Sequence, residues 1–114
     1  MSVKPGDIYS AEISQVGSAA DLDIEGPAVP TGHVVRLTSM YVIDLTTVNR
    51  SLRLGYSRGG TAHWFKRGNA GASSFGIGLD GDLILVEGEK PIGRVESAPS
   101  DDSCVLIARG EYLC

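Results

Sequence analysis

The chain is short of the residues on which most protein chemistry depends. In 114 residues it carries two cysteines, two histidines and one tryptophan, and aromatics make up only 6%. His33 and His63 stand far apart and belong to no HxH or HExxH spacing, so no zinc motif can be built on them. No GxSxG nucleophile elbow occurs, and Gly76-Ile77-Gly78 falls far short of a dinucleotide fingerprint. Serine and aspartate are too common here for a Ser-His-Asp set to carry meaning without geometry. The sequence therefore predicts a protein that is not an enzyme and uses no cofactor or metal.

Basic charge is also scarce. Ten lysines and arginines are outnumbered by 14 acidic residues, for a net charge of -4. Scattered cations in a net acidic chain give no nucleic-acid-binding face. No apolar run approaches bilayer length, so no membrane partner is expected. The stretch MSVKPGDIYS lacks the apolar core of a signal peptide, which predicts synthesis in a cytosol without export. Cys104 and Cys114 would sit at opposite ends of one strand, about 30 Å apart if it is extended. A disulfide requires Cα atoms within about 7 Å, so free thiols are expected, with an intermolecular bridge through Cys114 left open.

What the chain does hold is strand and turn. One domain of this length buries a core without staples, and 15 glycines point to many turns rather than long helices. The longest strand pattern is HVVRLTSMYVIDL, His33 to Leu45, rich in β-branched residues and free of Gly and Pro. At period two, Val35, Leu37, Tyr41, Ile43 and Leu45 share a face with Ser39, and Val34, Arg36, Thr38, Met40, Val42 and Asp44 share the other. Fully extended it would span roughly 40 Å, long for a small domain, so a bend or bulge is expected near Thr38-Ser39. Apolar residues on both faces suggest a strand covered on both sides. Met40 and Val42 are then expected to be exposed in an isolated subunit and buried in an assembly.

Shorter strands follow. Ser51 to Ser57 places Leu52, Leu54 and Tyr56 on one face, and Thr61 to Lys66 carries His63, Trp64 and Phe65. Residues 67–74 read as a loop, and Phe75, Ile77 and Leu79 alternate with Gly76, Gly78 and Asp80. Leu83 to Val86, Ile92 to Ser97 and Ser103 to Leu113 complete the set. Six to eight strands with turns every eight to twelve residues predict an all-β fold, a single antiparallel sandwich or barrel. Residues 1–28 differ: one short alternation, Asp7 to Ile13, precedes a Gly-, Ala- and Asp-containing passage. They are read either as a loop with an edge strand or as an extended N-terminal arm that pairs with a neighbouring chain through Ile8, Tyr9 and Ile13. The domain proper would then span residues 29–114.

Three features invite a site. Asp80-Gly81-Asp82 and Asp101-Asp102 could gather oxygens around calcium, but Asp-Gly is first a turn dipeptide and the EF-hand pattern is missing. Trp64 and Phe65, flanked by Lys66 and Arg67, suit either a platform for a sugar or base or an anchor in a core or interface. Strand edges and apolar patches suit protein contacts.

From Val29 onward the sequence resembles small β-sandwich structural proteins of tailed bacteriophages. The resemblance rests on Pro30-Thr31-Gly32 before the long strand, Thr46-Thr47-Val48-Asn49-Arg50 before the second, Leu79-Asp80-Gly81-Asp82, and the ending Arg109-Gly110-Glu111-Tyr112-Leu113. It departs from that pattern at His33-Val34 and in the longer Gly88 to Ser97 segment. It implies a jelly-roll-like sandwich on the capsid exterior of a virion, a decoration or cement protein bound to the major capsid protein, oligomeric and most simply trimeric, without catalysis. A carbohydrate-binding or fibre module and a head-tail adaptor component are the alternatives.

Overall fold

The computed structural model describes residues 3–69, 75–79 and 81–114. Their strands are β1 (Ile8–Val16), β2 (Leu22–Glu25), β3 (Val34–Asp44), β4 (Ser51–Arg58), β5 (Thr61–Asn69), β6 (Gly76–Gly78), β7 (Leu83–Val86), β8 (Lys90–Val95) and β9 (Ser103–Tyr112). All pairings among them are antiparallel. One sheet runs β1-β9-β3, with β6 and β7 both on the far side of β3. The other runs β2-β8-β4-β5. The pairs are nested: first strand with last, second with next to last, β3 with β6 and β7, and β4 with β5. Rolling such a nested ribbon into two facing sheets gives a jelly roll.

The core between the sheets is aliphatic. Ile24, Val35, Leu37, Met40, Leu52, Leu54, Leu85 and Leu106 are fully buried. Alternation along each strand places them there, because successive side chains point to opposite faces.

Each sheet contains one register break, and each break faces a glycine. In β3, Leu37 pairs with Gly110 and Ser39 with Arg109, so Thr38 is the extra residue of a bulge. In β5, Lys66 pairs with Leu54 and Trp64 with Gly55, so Phe65 is the extra residue. A Cβ on Gly110 would collide with the Arg36 carbonyl oxygen, and one on Gly55 with the His63 carbonyl oxygen. Glycine opposite a bulge lets the kinked strand close onto its partner.

The β3 bulge lies where strand length predicts it, and it reverses the facing of every residue beyond it. Val35 and Leu37 point inward before the bulge, and Met40, Val42 and Asp44 after it. Tyr41, Ile43 and Leu45 therefore do not continue the inward face of Val35 and Leu37. Met40 and Val42 are fully buried within the single chain, which corrects the expectation that only an assembly would cover them.

The N-terminal segment is not an arm. β1 pairs with β9 over nine residue pairs, β2 pairs with β8, and Tyr9, Ala11 and Ile24 are buried in the core. The Tyr9 hydroxyl donates to the Pro27 carbonyl at 2.7 Å, and its ring meets Tyr112 edge-on with centroids 6.1 Å apart. The boundary expected at residue 28 thus falls inside one sandwich that spans residues 8–112.

At one end of the core Asp44, opposite Cys104 in register, is buried beside Asp102. Asp44 Oδ1 accepts the N–H groups of Thr46 and Thr47 at 2.9 and 3.0 Å, while Oδ2 of Asp44 and Oδ2 of Asp102 are buried without a hydrogen-bond partner among the described residues. Desolvation first, and then the neighbouring Asp102 carboxyl, raise the Asp44 pKa. The same surroundings push the Cys104 thiol up to about 11, chiefly through burial and then through the charges of Asp44 and Asp102. That thiol is a core residue and a poor nucleophile.

The sign of the pH effect follows. A carboxyl whose folded pKa exceeds its unfolded value, about 3.9, stabilises the fold fully below that value. The contribution fades as pH rises through the folded pKa. Asp44→Asn keeps the oxygen that accepts from Thr46 and Thr47 but has no charge to desolvate, so at neutral pH the variant should be more stable than wild type by about 1 kcal/mol. Urea unfolding from below the carboxylate range to neutral pH should show the gap widening as pH rises; a constant gap would mean that folding does not raise the Asp44 pKa.

Candidate functional site

Because the core is filled, function falls to the two outer faces and the strand edges, and the two faces differ in character. On the β2-β8-β4-β5 sheet the register aligns Asp23, Arg94, Arg53 and Arg67 in one cross-strand row. Like charges directly opposite one another repel unless acids intervene. Asp23 holds Arg94 at 2.6 and 3.0 Å, and Glu96 bridges Arg53 at 2.5 Å and Arg67 at 3.2 Å. The bond to Asp23 raises the Arg94 pKa, and the bonds to Arg53 and then Arg67 lower that of Glu96. Trp64 lies half-buried in this network, with the Arg94 guanidinium 5.0 Å and the Arg53 guanidinium 6.0 Å from its ring centroid. Further along the face Ser57 donates to Glu25 at 2.7 Å, whereas Arg58 and the buried Glu89, paired at 2.6 Å, have the inward parity of Tyr56 and Pro91 and close one end of the core. This face is polar and internally paired.

The outer face of the other sheet is apolar at its centre. Two adjacent rows run Ile107–Tyr41–Gly78 and Val105–Ile43–Gly76. Val105 is buried by its neighbours on this outer side, whereas Tyr41 is 47% exposed. A Cβ on Gly78 would strike the Tyr41 ring, and one on Gly76 would strike Ile43. Each larger side chain thus lies over a glycine on the neighbouring strand.

Arg36 pairs with Glu111 and Asp82, and the same cross-strand row carries Ile84 at 49% exposure, with Val86 and Leu113 exposed at the next one. Exposed Arg109, opposite Ser39, stands between the Tyr41 band and the Arg36 row, and exposed Glu12 ends the Ile107–Tyr41 row; an apolar band with such a polar rim fits a protein-contact site. Sequence reasoning missed Tyr41, Ile84 and Val86 as surface residues. The signal for Tyr41 was the bulge, since counting one extra residue at Thr38 turns its side chain outward.

The residues singled out from sequence do not gather into one site. Ile8 is exposed at the free edge of β1, while Tyr9 is buried beside it and Ile13 packs against the core. Met40 and Val42 are core residues and Trp64 belongs to the arginine network. Phe65 is exposed at the β5 bulge. Asp80 lies outside the described residues, as do 70–74 of the expected loop, whereas 67–69 belong to β5. Among the described residues no three or more His, Cys, Asp or Glu side chains gather as metal ligands, and no pocket opens in the surface.

No protein-family model matches the chain, and no curated protein matches it.

Proposed function

We propose that this chain is a structural virion protein that decorates and cements a bacteriophage capsid, bound on its exterior to the major capsid protein. The observation that carries the reading is the contrast between the two outer faces. The Tyr41–Ile43–Ile107 band offers an apolar contact, while the arginines of the other face are paired within the chain. A jelly roll with one contact face and one solvated face suits a protein that sits on a shell.

Cementing of this kind is thermodynamic. A protein that binds the expanded shell more tightly than its precursor stabilises the expanded state by mass action. Repetition over many sites, or through an oligomer, multiplies a modest interface by effective concentration. No catalytic group or cofactor takes part.

The test is binding to capsids stripped of the protein, followed by co-sedimentation. Tyr41→Glu puts a charge in the centre of the apolar band and should lower occupancy at least tenfold, without changing the unfolding midpoint. Trp64→Ala should leave occupancy intact. Exposed Phe65 beside half-buried Trp64 favours the carbohydrate or fibre alternative; that alternative wins if Trp64→Ala abolishes glycan binding and Tyr41→Glu changes nothing. A head-tail adaptor would bind a portal ring instead of the shell.

A further inference from the structure

The four sheet edges are not alike. β2 is four residues long, and the edge beside β3 is divided between β6, of three residues, and β7, of four. The nine-residue β5 is broken by its bulge and carries Lys66 and Arg67. Shortness, bulges and cations are the devices that keep edges from pairing. β1 has none of them. It keeps an unbroken register with β9 over nine residues, contains no proline, and carries a single charge, Glu12.

Hydrogen-bond parity fixes which groups this edge offers. Gly17 N–H donates to the Asp102 carbonyl at 2.9 Å, and Tyr112 N–H donates to the Asp7 carbonyl at 2.8 Å, both continuing the β1–β9 register. Odd-numbered residues thus bond to β9. In an antiparallel ladder the alternate residues turn N–H and C=O the other way. Ile8, Ser10, Glu12, Ser14 and Val16 therefore face outward along the edge, and the described residues offer their backbone groups no other bonds.

We infer that β1 pairs with the β1 strand of a second copy of this chain, antiparallel about a twofold axis at Glu12. This register uses all nine residues. It sets Ile8, 78% exposed, against Val16, 59% exposed, at both ends, and Ser10 against Ser14 between them. No other register brings the two exposed apolar residues of β1 together. Only Glu12 meets its own kind, and that one like-charge pair keeps the association reversible. Since each copy has one open edge, isologous pairing closes at two and no filament grows. The inference concerns the isolated chain and goes beyond the capsid reading. It puts a twofold axis in place of the threefold one that the resemblance implies.

Sedimentation velocity over a range of concentrations tests it, with hydrogen exchange on the same samples. The wild-type chain should form a dimer in which the amides of Ser10, Glu12 and Ser14 become protected. Glu12→Gln should tighten that dimer about threefold, because one repulsive pair is removed. Glu12→Lys should prefer wild type over itself, since lysine then faces glutamate across the axis. Glu12 is exposed on the edge, so unchanged unfolding midpoints will show that these variants fold. A monomeric chain for both wild type and Glu12→Gln would overturn the proposal. So would a dimer indifferent to residue 12, or one that leaves the outward amides fast, as when a copy docks through the Tyr41 face.

Discussion

Removing residues 1–28 should leave no folded domain. The truncated chain would lose both β1 and β2, one edge from each sheet, together with the buried side chains of Tyr9, Ala11 and Ile24. It would uncover the inner flank of β9, where Leu106 and Ala108 lie, and of β8, where Val95 lies. Burial of one large apolar side chain contributes about 1.5–3 kcal/mol, and whole domains are stable by about 5–15 kcal/mol. Loss of two strands and their backbone bonds exceeds that margin. Circular dichroism and thermal unfolding of residues 29–114 should show no cooperative transition. A cooperative transition would restore the picture of a separable arm. A milder companion is Tyr9→Ala, which removes the Tyr112 contact and the bond to Pro27 and should cost about 3–5 kcal/mol.

Among single substitutions, Gly110→Ala should be one of the most damaging. Gly110 faces the β3 bulge, and the atoms nearest its absent Cβ are backbone: the carbonyl of Arg36 and the Cα of Leu37. No rotamer change relieves a clash with backbone. Either the bulge opens or β9 moves, and either shift disturbs the pairing that joins β1 to β3 through β9. The expected cost is about 3 kcal/mol, the upper end of overpacking effects. Gly68→Ala is the control, because a Cβ there meets no atom within 4 Å. It should lie within about 0.5 kcal/mol of wild type in urea unfolding. Equal effects from both would mean that general strand propensity, not the bulge contact, sets the cost.

How much of this was legible in the sequence follows from the period-two rule and its failures. Alternation found β4, β7 and β9 because nothing interrupts the inward rows Leu52–Leu54 and Leu106–Ala108. Strand length pointed to the bulge at Thr38-Ser39. A one-residue slip, however, flips every later side chain, and without carrying the flip forward Met40 and Val42 read as surface and Tyr41 as core. β1 looked weak because part of its inward row is the small Ala11, whose Cβ neighbours Gly26. That thin spot suits close backbone approach and gives little hydrophobic signal. β2 went unseen as a strand, being only Leu22–Glu25. The surroundings of Trp64 were beyond reach, since Arg94 and Arg53 come to it only through cross-strand register. Asp44 read as an outward polar residue, and its burial beside Asp102 follows from the same flip carried to the end of β3, where it faces Cys104.

The two surfaces proposed here do not compete. The Tyr41 band lies on the outside of the β1-β9-β3 sheet, while β1 pairing extends that same sheet edgewise. Two copies joined at β1 would present two apolar bands side by side, doubling the surface available to a shell. An edge that pairs about a twofold axis and a face that binds a lattice are compatible with one decoration unit.

The central claim is tested most directly by counting copies of this chain in purified particles of the phage proposed to encode it, by quantitative mass spectrometry against the major capsid protein. A decoration protein predicts hundreds of copies per particle, in a fixed ratio to the shell subunit. A count equal to one ring, or absence from the particle, would contradict the account.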